Sequence, residues 1–324
     1  MKRLIHTLSM TVFAASALTA LPAAAADYPE QPVRLVVGMA PGGSNDTVAR
    51  LIGSELQERL KQSFIVENRP GANSTIATAE LARAKPDGYN LMLVISSHVT
   101  NTMLYPDLKY TLKDFVPVSV IAETPFVLVA NPKFAPGNVA EFIKHAKSAG
   151  EQNIDFGTPG MGSTQHIAME LMDQVAGTKM NHVPYKGGAP AQVDLIAGVI
   201  PVIFATPTQS LPFIQSGQLK ALGVTSPQRL AQLPDAPTFA ESGLEGYEAN
   251  VWFGIVAPAD TPEDVVKLLK KEIVEIVNSE SVRSRLEEMG LTPVGSTQAE
   301  FQQLLDSEQQ KWSEVIKTAN ITVQ

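Results

Sequence analysis

The residues best suited to chemistry fall in two short runs of one design. The first, Pro41-Gly42-Gly43-Ser44-Asn45-Asp46, follows the apolar stretch Val33 to Val37 and precedes an amphipathic series of Val48, Leu51, Ile52, Leu56 and Leu60. The second, Thr158-Pro159-Gly160-Met161-Gly162-Ser163-Thr164-Gln165-His166, stands between Ile154-Asp155-Phe156 and the apolar Ile167 to Leu171. Each reads as a strand, a glycine loop and a helix start. A helix start presents unpaired backbone N–H groups and partial positive charge, and a loop without bulky side chains lets an anion approach them. Two such loops face to face would clamp a carboxylate. Each residue also has a plain structural use: Gly42 and Gly43 in a turn, Ser163 as an N-cap, His166 packed in its helix.

Other chemistries fit these residues less well. No Gly-Lys-Ser/Thr follows the first glycines and the three-glycine dinucleotide pattern is absent, which disfavours nucleotides. A secreted hydrolase using Ser163 or Ser44 with His166 or His98 would lack the Gly-x-Ser-x-Gly elbow, since Gly162-Ser163-Thr164 has no glycine at the right place. His166 and Glu170 form only a helical i, i+4 pair, with no His-Glu-x-x-His. No catalysis, metal or cofactor is expected. Asp46, a carboxylate beside an anion site, reads as an organiser that caps backbone N–H groups or holds a water; a ligand amine or hydroxyl is its other possible partner.

The elements that must position these runs alternate apolar strands with amphipathic helices, the pattern of α/β units with largely parallel sheets. Residues 1–26 carry Lys2 and Arg3, an apolar stretch from Leu8 to Leu21 and Ala24-Ala25-Ala26, the layout of a cleavable secretory signal, so the mature chain is expected to begin at Asp27. Removing those 26 of 324 residues leaves 298, enough for two lobes of roughly 120–170 residues. With 25 basic and 33 acidic side chains the chain carries −8, and loss of Lys2 and Arg3 takes it to −10, which argues against nucleic acid. Cysteine is absent, which excludes disulfides, thiol chemistry and a lipid anchor on cysteine and suits a bacterial periplasm.

In open α/β sheets ligands sit beyond the carboxyl ends of strands. The strand Leu91 to Ile95 opens into Ser96-Ser97-His98, which places Ser97 and His98 as candidates. Pro117 marks Val116 to Ile121 as an edge strand or a strand start. Pro125 to Ala130 is taken as the first crossing into a second lobe, and Val251 to Ala257 as the return. Lobe one is then discontinuous, 27–125 with 252–324, around lobe two at 126–251. The expected hinges are Thr124-Pro125-Phe126 and Asn250-Val251-Trp252. Pro262 is read as the first residue of a helix reaching Asn278.

Several phrases resemble the substrate-binding receptors of tripartite tricarboxylate transporters, the Bug-type receptors. They are Val36 to Arg50, Val66-Glu67-Asn68-Arg69-Pro70-Gly71-Ala72, Lys85-Pro86-Asp87-Gly88-Tyr89, Asp114 to Val118, Gly157 to Glu170, His182 to Gly187 and Pro237 to Glu241. The resemblance spans nearly the whole mature chain in unbroken order. It implies an α/β, type II-like two-lobed periplasmic binding protein with two crossover strands, a monomer that closes on a small organic acid and delivers it to membrane permease subunits. A receptor that signals to a membrane sensor kinase is the alternative partner. Carried onto this chain, the family's binding region falls on Pro41, Gly42, Gly43, Ser44 and Asp46, on Thr158, Gly162, Ser163, Thr164 and His166, and around Ser97, Tyr185, Ala205 and Thr206. Many relatives have aspartate where this chain has Ala205, which favours an acid without an amine. Relatives also carry more glycine where this chain has Ala72 to Ala77, so a pocket wall is reshaped there.

Overall fold

The computed structural model describes residues 28–150, 153–247, 249–318 and 321; the expected signal and its cleavage point lie outside them. In chain order the first elements are β1 (Val33–Val37), α1 (Ser44–Leu60), β2 (Phe64–Asn68), α2 (Thr75–Leu81), β3 (Asn90–Ile95), α3 (Ser97–Leu104) and β4 (Phe115–Pro125). Then come β5 (Val127–Ala130), α4 (Val139–Ala149), β6 (Asp155–Thr158), α5 (Thr164–Ala176), β7 (Asn181–Pro184), α6 (Gly188–Ala197), β8 (Val202–Ala205), α7 (Pro207–Gln215) and β9 (Lys220–Val224). The chain ends with β10 (Asn250–Pro258), α8 (Glu263–Asn278), α9 (Glu280–Glu288), β11 (Thr292–Pro293) and α10 (Gln298–Thr318).

Among the described residues the strands form two sheets, ordered β11-β4-β10-β3-β1-β2 and β7-β6-β8-β5-β9. They define two lobes. The apolar runs of β1 and β3 follow from burial on both faces. Val33, Leu35 and Val37 turn to the core beneath α1 and α8, whereas Val36, Met92 and Val94 turn to the opposite core of Ala77, Leu81 and Phe301. Strand β8 alternates likewise, with Phe204 on one face and Ile203 and Ala205 on the other. Each such large side chain stabilises by roughly 1.5–3 kcal/mol when fully buried.

Two strands cross between the sheets, and they lie side by side. Asn250 pairs with Pro125 and Val251 with Thr124, so β4 and β10 run together to the junction. There Phe126, wholly buried, donates its N–H to Thr225 Oγ1 at 2.9 Å, and Thr225 in turn donates to the Ala249 carbonyl. One core cluster passes through the junction, joining Phe126 and Leu128 to Ile121 and Phe253.

Strand β4 is not at the edge: β10 flanks it on one side and the two-residue β11 on the other. Pro117 keeps the strand-start reading: it is the third residue of β4, it faces Val256 where the β4–β10 ladder shifts register, and β11 pairs only with Ala122 and Glu123 farther along. Pro262 is the N-cap of α8, not its first residue; its ψ of 135° is extended, and Glu263 begins the helix.

Burial also sets a pH response. His98 lies within aromatic surroundings, stacked over Tyr110 at 6.2 Å and edge-on to Phe115 at 4.9 Å. Burial pushes its pKa down from 6.5 to about 4. The folded state therefore stays neutral while the unfolded chain takes up a proton, so stability is full above about pH 6.5 and falls between there and about pH 4. Urea titrations at pH 7 and pH 5 are expected to differ by about 2 kcal/mol from this residue, and His98→Phe is expected to remove that share of the difference.

Candidate ligand-binding site

The helices α1 and α3 of one lobe and α5, α6 and α7 of the other begin directly after strands, and their starts gather between the lobes. The loops there touch. A Cβ built on Gly187 would lie 3.2 Å from Ala40 Cβ and 3.3 Å from its backbone N, and one on Gly42 would lie 3.9 Å from Ala189. Thr100 donates to the Gly162 carbonyl at 3.4 Å, and Tyr105 donates to the Met161 carbonyl at 2.9 Å. Leu104, Ile167 and Trp312 form an apolar cluster across the same gap. These contacts describe a closed arrangement, and the cavity between Met39, Ser44 and Asn45 on one side and Pro159, Gln165 and Gln209 on the other is only about 20 Å³. That is room for about one water.

In the first loop Gly43 is the N-cap of α1 and offers no side chain to its N–H groups. Ser44 is buried and its hydroxyl makes no hydrogen bond among the described residues. Pro41 and Gly42 are exposed at the rim. Asp46 turns back on its own loop: it accepts the Gly42 N–H at 3.1 Å and pairs with Arg50 at 2.9 Å. Burial alone would raise its carboxyl pKa, but Arg50 and the Gly42 N–H hold it below the usual range. This is the organiser role expected of it. Its contribution is present above about pH 4, the ordinary aspartate value, and is lost only as pH falls through the lower folded value. Asp46→Ala is expected to cost about 1–2 kcal/mol of stability in urea titration, and to weaken ligand binding by loosening the loop.

In the second loop several side chains are already engaged. Ser163 caps α5, accepting the His166 N–H at 3.3 Å. His166 Nδ1 accepts the Gly162 N–H at 3.1 Å, and its ring stacks on His182 at 3.8 Å. Thr158 donates to the Gly160 carbonyl at 3.1 Å and lies 2.5 Å from His182 Nε2. Thr158 and His166 thus brace the loop. His98 faces the aromatic core described above, and Ala205 packs among Val127, Leu195 and Leu211. Neither lines the cavity. Ser97 opens α3 fully buried, and Tyr185 donates to Asp194 at 2.7 Å. Burial first, and Asp194 second, push the Tyr185 phenol up to about 12.

Three buried oxygens in the helix starts have no hydrogen-bond partner: Thr164 Oγ1, Gln165 Oε1 and Thr206 Oγ1. An unpaired buried polar group costs about 1–3 kcal/mol; of these three, Gln165 lines the small cavity, Thr164 precedes it in α5, and Thr206 caps the helix that brings Gln209 to the same cavity. Gln209 escaped the sequence reading, whereas Gln165 stood within the second run. Each lies in the first turn of a helix whose cap residue was noted, and that placement was the available signal. Among the described residues no cluster of His, Asp and Glu could hold a metal, and no helix is long and apolar enough to cross a membrane.

Two α/β lobes joined by paired crossover strands, with helix starts converging on a polar cleft, define a periplasmic binding protein. A family model described as "Tripartite tricarboxylate transporter family receptor" matches residues 48–321, and the chain belongs to that family. It is 36% identical over 309 residues to protein BugT of Bordetella pertussis, covering 94% of each chain. Among solved structures it resembles "R. palustris Rpa4515 with adipate", with 34% identity, a TM-score of 0.89 and coverage of 91% of this chain and 99% of that one. It also resembles MatC (Rpa3494) from Rhodopseudomonas palustris with bound malate, at 32% identity and a TM-score of 0.85, covering 89% of this chain and 100% of that one. The protein is therefore a solute receptor and not an enzyme, which removes the hydrolase reading.

Proposed function

We propose that the protein captures a small organic carboxylate between its lobes and delivers it to the membrane permease of a tripartite tricarboxylate-type transporter. The observation that carries this reading is the pair of unpartnered hydroxyls on Thr164 and Thr206, set in helix starts of the second lobe, together with the uncapped start of α1 in the first. The two threonine hydroxyls can each donate to a carboxylate and the free N–H groups of α1 add to them, whereas Gln165 Oε1 only accepts and suits a ligand hydroxyl. The residues lining the small cavity carry no charge, so binding rests on neutral donors. Charge-assisted hydrogen bonds of about 1.5–3 kcal/mol each, four or five of them less ordering costs, reach the roughly 8 kcal/mol of micromolar binding. Neutral donors also allow release, which delivery needs. Because the closed cavity is so small, entry requires the lobes to part about the β4–β10 junction, and the ligand then stabilises the closed form.

The test is a thermal-shift screen of the chain from Asp27 onwards, refolded to strip carried-over ligand, against mono-, di- and tricarboxylates, aromatic acids and acidic amino acids. A saturable rise in Tm for one acid class, confirmed by calorimetry, supports the reading. Flat responses to every acid overturn it.

A further inference from the structure

Two imidazoles flank the loop between β6 and α5. His182 comes from β7, where its register partner is Phe156 of β6; its ring lies 3.8 Å from that of His166 at 15° and 5.1 Å from Phe156 at 24°. Burial first, and His166 second, push the His182 pKa down from 6.5 to about 3, so near neutral pH the ring is uncharged and carries a single hydrogen. The surrounding hydrogen bonds decide which nitrogen holds it.

Thr158 Oγ1 has one hydrogen and meets the Gly160 carbonyl at 3.1 Å, the Gly160 N–H at 3.2 Å and His182 Nε2 at 2.5 Å. If Nε2 donates, Thr158 accepts from it and from the Gly160 N–H and gives its own hydrogen to the Gly160 carbonyl, so every contact is a bond. If Nε2 accepted instead, the hydroxyl would turn away from that carbonyl, and the ring hydrogen would sit on Nδ1, which is buried without a partner. The first arrangement makes one more bond and buries no orphan donor, which assigns the hydrogen to Nε2. In His166 it is Nδ1 that accepts, from the Gly162 N–H at 3.1 Å, and Nε2 faces Glu170 at 3.4 Å.

Each ring therefore fixes one glycine: His182 acts on Gly160 through Thr158, and His166 holds Gly162 directly. The two glycines sit at φ 152° and 74°, conformations that other residues rarely adopt. Between and beside them are the carbonyls of Met161 and Gly162, which accept from Tyr105 and Thr100 of the first lobe, and a Cβ on Gly160 would come within 4.0 Å of Asn73. The first lobe closes onto this loop. We infer that His182 is a positioning residue for closure: its Nε2–H orients Thr158, Thr158 holds Gly160, and the loop so set presents its carbonyls to Tyr105 and Thr100. Only the effect on affinity rests on the carboxylate reading above. His182 does not line the small cavity, so it acts through the loop alone.

NMR and calorimetry on the refolded protein, His182→Phe, His182→Gln, Thr158→Val and the H182F/T158V pair test this. Phenylalanine keeps a ring in the stack and removes the donor, whereas glutamine restores an N–H donor without the ring. Imidazole nitrogen shifts of the parent protein are expected to show His182 protonated at Nε2 and bare at Nδ1, a result that needs no variant to fold. Amide exchange at Gly160 is expected to be about tenfold faster in H182F, at least as fast in T158V, no faster in the pair than in T158V, and close to the parent in H182Q. Against the acid panel of the screen above, H182F is expected to bind about tenfold more weakly than the parent, with H182Q recovering most of the loss. A hydrogen on Nδ1, parental exchange in H182F, losses that add in the pair, or no recovery in H182Q overturns the inference. If no acid binds, the carboxylate reading fails, while the nitrogen shifts and the Gly160 exchange still decide this one.

Discussion

Replacing Thr164 and Thr206 together by valine is expected to leave the ligand-free protein at least as stable while removing its ligand binding. Valine keeps nearly the volume and branching of threonine, and both sites are at most 1% exposed. Their hydroxyl oxygens have no partner, so the folded state loses no hydrogen bond and sheds two desolvated polar groups of about 1–3 kcal/mol each. No hydrogen bond is lost in either form, so the melting temperature of the ligand-free protein should be kept or raised slightly. A ligand that used those hydroxyls loses two charge-assisted bonds, which corresponds to about 100-fold or more in Kd. Loss of affinity without loss of stability is the signature of a binding site. Thermal melting and calorimetry on T164V, T206V and the pair decide the matter, and a fall in both stability and affinity would mean that the hydroxyls serve the fold instead.

Closure itself is the second large lever. Ala40→Leu is expected to weaken binding about 10-fold to 100-fold and to keep the liganded protein expanded in small-angle scattering. The reason is the approach of Ala40 to Gly187, where even one added carbon meets atoms at 3.2–3.3 Å. Larger side chains in a packed contact cost about 1–3 kcal/mol, and here the cost arises only when the lobes meet. The ligand-free open form has no such contact, so its melting temperature should change little. Gly187→Ala tests the same contact from the other lobe with a difference. Its φ of 143° penalises any side chain in both states, so G187A should lower stability as well as affinity. Both tryptophans report the motion: Trp312 lies in the inter-lobe cluster and Trp252 in the strand that returns from the second lobe. Their fluorescence should change on ligand addition in the parent protein and respond less in A40L.

The loops that form the candidate cleft were legible in the sequence, because loops after strands in α/β sheets fall at one end and glycines mark where backbone must come close. Orientation within those loops was not. Successive helix residues turn by about 100°, so neighbours such as Ser97 and His98 go to different surroundings, and nothing in the local pattern says which faces the cleft. His98 found Tyr110 and Phe115, residues brought to it by the return of the chain into β4. Thr158 and His166 were spent on the loop by His182 and Gly162, one of which comes from a different strand. Gln209 was passed over three residues after Thr206 although it lines the cavity.

What the sequence determined by itself is local and periodic: strand and helix order, glycine loops at helix starts, and a composition that leaves no cysteine chemistry. The side chains dictate these because they depend on neighbours within a few residues. The tertiary structure alone decided which hydroxyls were left without partners and where Ala40 meets Gly187. These depend on how two separately packed lobes meet across a cleft, and no propensity within either run encodes that distance.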